Sequence, residues 1–369
     1  MVIEEVLTLG VEEELLLVDP KTGVSMPRAQ EVVAKSATRL GDRVGEEFYA
    51  AQLEIRTAPA FTAGAVRADL AEARRVCCVA AEGIGGGLVG AGCAVLTTSQ
   101  PVVTDAHRYR DIVHRLAPFV RTTDSELSGC HVHLGTLGRG EALALSARLR
   151  PWLPVLQALG ANSPFAAGHD RGWESWRAAQ YVRWPTVGPA PVLDESGYEA
   201  LVTRMVATGE IRDRQMIYWY ARPSERWPTL EIRLCDVNAH LDLDLLLAVL
   251  MRGLGTVLMA EIRAGTPWRD HVDDVALLAA HGQAARLGLR GQGVDPATGG
   301  RRPLSACLTA LVERARPGLR AAGDDLLAAD LLGRVRRTGT GADHQRAAYE
   351  RHGHLRSVVA ELAAATADC

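Results

Sequence analysis

The sequence predicts an α+β fold in which an antiparallel sheet carries helices packed on one side. Two observations lead to this class: several short segments alternate polar and apolar residues, and longer segments show a helical period. Strands and helices do not alternate regularly along the chain, which argues against a doubly wound parallel sheet. The 369 residues, of which 47% are hydrophobic and 23% charged, also exclude a disordered chain.

The helical period is clearest over residues 65–82, 141–159, 243–264 and 343–365. Pro151 and Pro154 predict a kink or a restart within the second of these segments. The last third of the chain is mostly helical and rich in alanine, leucine and arginine. Because no internal repeat or interdomain linker interrupts the pattern, we expect residues 1–369 to form a single domain with a helical C-terminal third.

Several features predict a soluble cytoplasmic protein. The N-terminus, Met1-Val2-Ile3-Glu4-Glu5, is acidic where a signal peptide would be basic, and the most apolar window, 243–251, is too short to span a bilayer. The seven cysteines form no C-x-x-C pair, which fits reduced thiols. A net charge of −3 offers no basic surface, so we expect neither nucleic acid nor a membrane as a partner.

The basic residues are almost all arginines. Of the 41 lysines and arginines, only Lys21 and Lys35 are lysines, which leaves 39 arginines. This excludes any mechanism that needs a lysine beyond residue 35, such as a P-loop lysine or a carbamylated lysine that bridges two metals.

The alternating segments concentrate polar side chains on one face of the predicted sheet. The predicted strands are 7–15, 52–56, 130–134, 217–222 and 230–234. Residues two apart in a strand share a face, so Glu12 and Glu14 would hold their carboxylates about 7 Å apart. The other strands would add Glu54 and Arg56, His131 and His133, Tyr218, Tyr220 and Arg222, and Glu231 and Arg233. Any strand with one solvent-exposed face alternates polar and apolar residues. The polar residues here are mostly Glu, His and Arg, which indicates ligands rather than a solvated surface.

Glutamates together with imidazoles make an oxygen-rich set that suits Mg²⁺ or Mn²⁺ better than structural zinc. Several carboxylates on one face repel each other unless a divalent cation lies between them. Arginines on the same face could hold carboxylates or phosphates in a bidentate manner. With no Walker motif in the sequence, this combination favours nucleotide-dependent chemistry on a carboxylate.

A set of motifs then occurs in a characteristic order along the chain. They are Leu9-Gly10-Val11-Glu12-Glu13-Glu14, Leu53-Glu54-Ile55-Arg56, Gly129-Cys130-His131-Val132-His133-Leu134-Gly135, Asn162-Ser163-Pro164-Phe165, Ser175-Trp176-Arg177, Arg222-Pro223-Ser224, Thr229-Leu230-Glu231-Ile232-Arg233 and Gly339-Thr340-Gly341-Ala342. In this combination the chain resembles the bacterial carboxylate–amine ligases of the glutamate–cysteine ligase type 2 family.

The resemblance implies a fold like that of glutamine synthetase, in which a curved, mostly antiparallel sheet cups the active site and helices lie outside. It also implies an ATP-dependent reaction that joins a carboxylate, typically the side chain of glutamate, to an amine. ATP phosphorylates the carboxylate, the amine attacks the acyl phosphate, and ADP and phosphate are released. The implied cofactors are ATP and Mg²⁺, with Mn²⁺ as the alternative ion; a homo-oligomer is left open.

The resemblance also implies roles for individual residues. The catalytic residues would be Glu54, Glu231 and Arg233, and the metal ligands Glu12, Glu14, Glu54, His131 and Glu231. ATP would be bound by Glu12, His131, His133 and Arg233, and the substrates by Arg177, Arg222, Tyr220, Arg171 and Trp173. Within these sets, Arg177 would hold a substrate carboxylate and Arg233 would lie near the transferring phosphoryl group.

Two departures from the family pattern concern the substrates. Tyr220 stands where many relatives have an acidic residue, and Asp170-Arg171-Gly172-Trp173 stands where many read Asp-Thr-Gly-Tyr. We expect these changes to alter the acceptor, so that it is not cysteine. Two alternatives remain at this point: a metal-dependent amide hydrolase that uses the His-x-His motif, and a binding protein of the same fold that has lost catalysis.

Overall fold

The computed structural model describes residues 3, 5–97, 100–120, 122–269 and 271–369. Of the acidic N-terminal segment, Met1, Val2 and Glu4 lie outside the described residues. The described part has an open antiparallel sheet of seven strands in the order β2-β3-β1-β5-β9-β8, with β4 paired to one end of β1. This arrangement confirms the predicted α+β class.

The strands are β1 (Thr8–Val18), β2 (Val44–Glu46), β3 (Gln52–Arg56), β4 (Gly87–Val89), β5 (Gly129–Gly135), β6 (Phe165–Ala166), β7 (His169–Asp170), β8 (Ala221–Pro223), β9 (Thr229–Asp236), β10 (Gln292–Val294) and β11 (Arg301–Pro303). The pairs β6–β7 and β10–β11 form separate hairpins.

The helices are α1 (Ala29–Leu40), α2 (Ala63–Glu82), α3 (His107–Arg115), α4 (Ala117–Val120), α5 (Arg139–Leu149), α6 (Leu153–Leu159), α7 (Trp176–Tyr181), α8 (Glu195–Ala207), α9 (Leu241–Arg263), α10 (Asp274–Leu287), α11 (Leu304–Ala322), α12 (Asp325–Thr338), α13 (Gly341–His352) and α14 (Leu355–Ala367).

Helix α9 forms the centre of the hydrophobic core. It is the one helix of the described chain that is long and apolar enough to cross a membrane, but 83% of its apolar window is buried inside the protein. It packs against α11, α5 and the apolar face of β5. Its apolar surface is therefore used in packing the helices against the sheet.

The structure confirms one predicted interruption of a helix and corrects one helix boundary. A 3-10 turn at Arg150–Trp152 separates α5 from α6, as the prolines predict. The segment predicted as one helix over 343–365 is two helices, because Gly353 ends α13 in the left-handed conformation at φ 71°. Glycine adopts this conformation without the steric cost that a side chain adds.

The predicted strand 217–222 is also wrong over most of its length. Only Ala221 and Arg222 of that segment belong to β8. The backbone N–H of Tyr218 donates to the Thr186 hydroxyl, and that of Tyr220 donates to the Gly188 carbonyl, so a loop accepts these two N–H groups. The Tyr220 carbonyl does accept from the sheet, from the N–H of Arg233. Tyr220 consequently does not share a face with Arg222.

A fully buried ion cluster connects the sheet to two helices. Arg74 of α2 donates to both carboxylate oxygens of Glu13, at 2.7 and 2.9 Å, and lies 3.4 Å from the carboxylate of Asp244 on α9. It also donates to the carbonyls of Asn238 and Ala239. All three charged side chains have no exposed surface, so each carries a high desolvation cost that only its partners offset.

Arg74→Met should therefore lower the free energy of unfolding by about 3–5 kcal/mol, because it leaves Glu13 and Asp244 buried without their cation. The matched control is Arg75→Met, which changes the exposed neighbour on the same helix. Urea denaturation followed by circular dichroism measures both. Equal stability of the two variants would contradict the importance of the buried cluster.

Candidate active site

The register of the sheet aligns the predicted polar residues across neighbouring strands. Glu12 lies opposite His131 of β5 and Arg56 of β3, and Glu14 lies opposite Glu54. On the other side of β5, His133 lies opposite Glu231 of β9. All of these side chains line one cavity of about 520 Å³, within the range that small-molecule sites occupy.

Three residues at the centre of this cavity form a group that could hold a metal ion. Glu12, His131 and Glu231 each offer one ligand atom, and the three atoms lie within 4.8 Å of one another. His131 Nδ1 lies 3.4 Å from Glu12, and its Nε2 is buried without a hydrogen bond in the described structure. Two carboxylates with one imidazole fit a divalent cation such as Mg²⁺ or Mn²⁺.

The charge state of this group suits metal binding. Burial lowers the pKa of His131 and the cation of Arg233 lowers it further, which favours the neutral imidazole that a metal requires. Burial would raise the pKa of Glu12, but hydrogen bonds from His131 and His133 outweigh it, and the pKa falls below its ordinary value. Glu12 is therefore an anion at neutral pH.

Two arginines compensate the charge of Glu231. Arg222 donates to its two carboxylate oxygens at 2.9 and 3.2 Å, and Arg233 also donates to it. Burial opposes ionisation of Glu231, but Arg222 and Arg233 outweigh burial and hold its pKa well below the ordinary value. Arg233 is itself buried and lines the cavity, so its cation lies where an anionic ligand would bind.

A second group of carboxylates lies beside the first. Burial raises the pKa of Glu54 well above its ordinary value, and the nearby charges of Glu12 and Glu47 raise it further. Burial together with Glu14 raises the pKa of Glu47 to about 7. Arg56 lies 2.9 Å from Glu54 and compensates only part of this negative charge. A bound cation would relieve the remaining repulsion.

Arg177 reaches the cavity from α7 and is held by hydrogen bonds at its backbone and its side chain. Its N–H donates to the Ser163 hydroxyl at 3.1 Å, and its guanidinium donates to the carbonyls of Arg233 and Leu234 at 3.3 Å. The hydroxyl of Ser163 in turn donates to the buried carboxylate of Asp236 at 2.7 Å. The Asn162-Ser163-Pro164 and Ser175-Trp176-Arg177 motifs therefore meet to orient one cation.

Three predicted substrate residues do not line this cavity. Tyr220 is buried in the main hydrophobic core, with its ring 4.5 Å from that of His281. Arg171 donates to Asp124 at 2.6 Å and lies over the Trp176 ring. Trp173 packs against Trp176 on the same side of the protein as Arg171. Each is fixed by neighbours outside the cavity.

The cavity also contains residues that the sequence patterns missed. The wall includes Glu47, Phe48, Tyr109, Tyr181 and Trp184. These residues come from loops and short helices, where no periodic pattern marks the side that faces a site. An aromatic residue beside an acidic one, as in Glu47-Phe48, was the available signal, but it is too common to be specific.

Comparison with known proteins identifies the family. Residues 8–361 match glutamate–cysteine ligase family 2. The chain belongs to this family. It is 40% identical over 363 residues to the "Putative glutamate--cysteine ligase 2-2" of Mycolicibacterium vanbaalenii, covering 98% of each chain. It is 39% identical to the "Putative glutamate--cysteine ligase 2" of Salinispora tropica, covering 98% of this chain and 96% of that one.

Solved structures agree with this family in their fold. A bifunctional glutathione synthetase from Pasteurella multocida superposes with a TM-score of 0.71 at 15% identity, covering 98% of this chain and 52% of that one. This chain therefore spans about half of that enzyme's length. A glutamate–cysteine ligase from Francisella tularensis in complex with AMP gives 0.69 at 9% identity, covering 99% and 89%. Family membership makes the protein an ATP-dependent ligase.

Manganese binding tests the ligand set. Glu12→Gln replaces an anionic ligand by a neutral one, so we expect the affinity for Mn²⁺ to fall at least about tenfold, measured by electron paramagnetic resonance of the free ion. Glu31→Gln is the control, because Glu31 is an exposed carboxylate that pairs with Arg28. Equal Mn²⁺ affinity in the two variants would contradict the assignment of Glu12.

Proposed function

We propose that the protein joins the side-chain carboxylate of glutamate to a primary amine through an acyl phosphate, with release of ADP and phosphate. The observation that carries this proposal is the central cluster of Glu12, His131 and Glu231, with Arg222 and Arg233 beside it in one cavity. Phosphoryl transfer needs little covalent chemistry from a protein, but it needs positioning and compensation of charge. The cavity offers both.

Glu12, His131 and Glu231 would hold a divalent cation. The carboxylate of Glu14 lies 3.6 Å from His131 Nε2, and Glu54 lines the same cavity, so both would add negative charge around the ion. Such an ion would neutralise phosphate oxygens and so favour attack by a carboxylate. The identity of the ion, Mg²⁺ or Mn²⁺, is part of the proposal.

The arginines of the cavity have separate tasks in this proposal. Arg233 neutralises the phosphoryl group as it moves from ATP to the substrate carboxylate, and Arg222 holds Glu231 in place. Arg177 binds a carboxylate of the donor acid. The amine loses one proton to solvent before it attacks the acyl carbon. As the C–N bond forms and the C–O bond to phosphate breaks, the departing phosphate takes the second proton.

We also propose that the acceptor is not cysteine and that residues 1–369 act as one catalytic domain in the cytoplasm. The first point rests on the substitutions at Tyr220 and Arg171. Both residues lie outside the cavity wall, so they would act through their neighbours rather than by touching the acceptor. Selective release of ADP with glutamate plus cysteine, over other primary amines, would contradict this part of the proposal.

Hydroxylamine provides a direct test of the reaction class. It traps acyl phosphates irrespective of the acceptor, so glutamate, ATP and hydroxylamine should give a hydroxamate together with ADP. Glu231→Gln should lower this rate about a hundredfold or more, because it removes a ligand charge and leaves two arginines uncompensated. The exposed variant Glu31→Gln should retain the wild-type rate.

Other results would favour the amide hydrolase or the non-catalytic binding protein instead. Release of an amine from amide substrates without ATP would indicate the hydrolase. Unchanged turnover in Glu231→Gln would contradict the assignment of this residue. Binding of ATP with neither hydroxamate nor ADP would indicate a protein that has lost catalysis.

A further inference from the structure

Aromatic rings, which are scarce in this chain, are concentrated at the active-site cavity. The sequence contains only 4 phenylalanines, 7 tryptophans and 7 tyrosines, yet seven of these rings line this cavity. Five of them form a continuous series, the aromatic wall, in the order Tyr109, Phe48, Trp184, Tyr218 and Tyr181. Successive centroids are 5.4, 5.3, 6.3 and 6.2 Å apart.

The aromatic wall reaches the reacting centre at one of its ends. The guanidinium of Arg233 lies 5.8 Å from the Tyr218 ring centroid, and that of Arg177 lies 4.9 Å from the Tyr181 ring centroid. Both arginines belong to the group that would handle the phosphoryl group and the donor acid. A molecule lying on the wall could therefore present a nucleophile to the carboxylate that is being activated.

The aromatic wall and Trp227, an exposed ring of the same cavity, lie at opposite ends of strand β5. Phe48 lies four residues before Gln52, whose amide donates to the Leu127 carbonyl beside the start of β5. Trp227 lies just before Thr229, which pairs with Gly135 at the opposite end of β5. Trp227 is 47% exposed and Arg226 lies over its ring. The cavity therefore offers two aromatic positions, one at each end, for two organic molecules.

A carboxylate beside the aromatic wall favours a cationic amine at this position. The carboxylate of Glu47 lies next to Phe48 and accepts the Phe48 N–H at 2.8 Å. Within the described chain it has no salt bridge to an arginine or lysine. Glu14 and Glu12 add negative charge nearby, which the cation of Arg233 offsets in part. An ammonium group is attracted both by carboxylates and by the faces of aromatic rings.

We infer that the acceptor is a primary amine that carries an aromatic ring, with its ring on the aromatic wall and its nitrogen between Glu47 and the activated carboxylate. This inference rests on the proposed function and adds the substrate class to it. The bond that forms is the amide C–N bond, and the acyl C–O bond to phosphate breaks. Adenine would then occupy the opposite end of the cavity, beside Trp227.

An acceptor panel tests this inference with the whole chain. With ATP, Mg²⁺ and glutamate, kcat/KM for 2-phenylethylamine should exceed that for n-butylamine and for cysteine by about tenfold, the upper end of what a stacking partner contributes. Equal or better turnover of n-butylamine or cysteine would overturn the inference. If the same preparation still forms hydroxamate, the proposed function stands and only the aromatic acceptor is excluded. If it forms no hydroxamate, both the proposed function and the aromatic acceptor are contradicted.

Variants of the wall separate the acceptor from the nucleotide. Trp184→Ala should raise KM for 2-phenylethylamine about tenfold and leave KM for ATP unchanged. Phe48→Leu gives a second test that keeps the apolar volume if the first variant fails to fold. Trp268→Ala, which changes a tryptophan outside this cavity, is the control and should behave as wild type. A rise in KM for ATP in Trp184→Ala would show that the wall holds adenine, and would overturn the inference.

Discussion

The register of strand β1 is the constraint on which the rest of the structure depends. Consecutive glutamates of this strand point into two different buried environments. Glu12 and Glu14 face the cavity, whereas Glu13 faces the core and binds Arg74. A shift of one residue would exchange these positions and leave charges without partners on both sides. The ion pair on the core side thus helps to fix the positions of the ligands on the cavity side.

The cavity face concentrates negative charge that the protein compensates only in part. Glu231 has two arginines, but burial, together with acidic neighbours, keeps the pKa values of Glu47 and Glu54 raised. A face of this kind is costly to fold unless cations bind to it. The same imbalance that makes the face unfavourable in isolation makes it suitable for a divalent ion, and for an amine at the aromatic wall.

Strand periodicity predicted much of the site but little of its surroundings. The faces of Glu12, Glu54, His131 and Glu231 follow from a period of two, and the antiparallel register then aligns them. The period of two assigned Tyr220 to the wrong face because the N–H groups of Tyr218 and Tyr220 donate to a loop. Arg171 does not line the cavity, because a motif gives the order of residues along the chain but not the direction in which each side chain points. Loops supply the aromatic wall, and their conformation depends on tertiary contacts that no local pattern records.

Transfer of oxygen from substrate to phosphate tests the central claim most directly. Glutamate labelled with a heavy oxygen isotope in its side-chain carboxylate would be turned over with ATP and an amine, and the released phosphate examined by phosphorus NMR. An acyl phosphate predicts that each phosphate carries one oxygen from glutamate, because the amine displaces that oxygen together with the phosphoryl group. Phosphate without the label would contradict this account of the site.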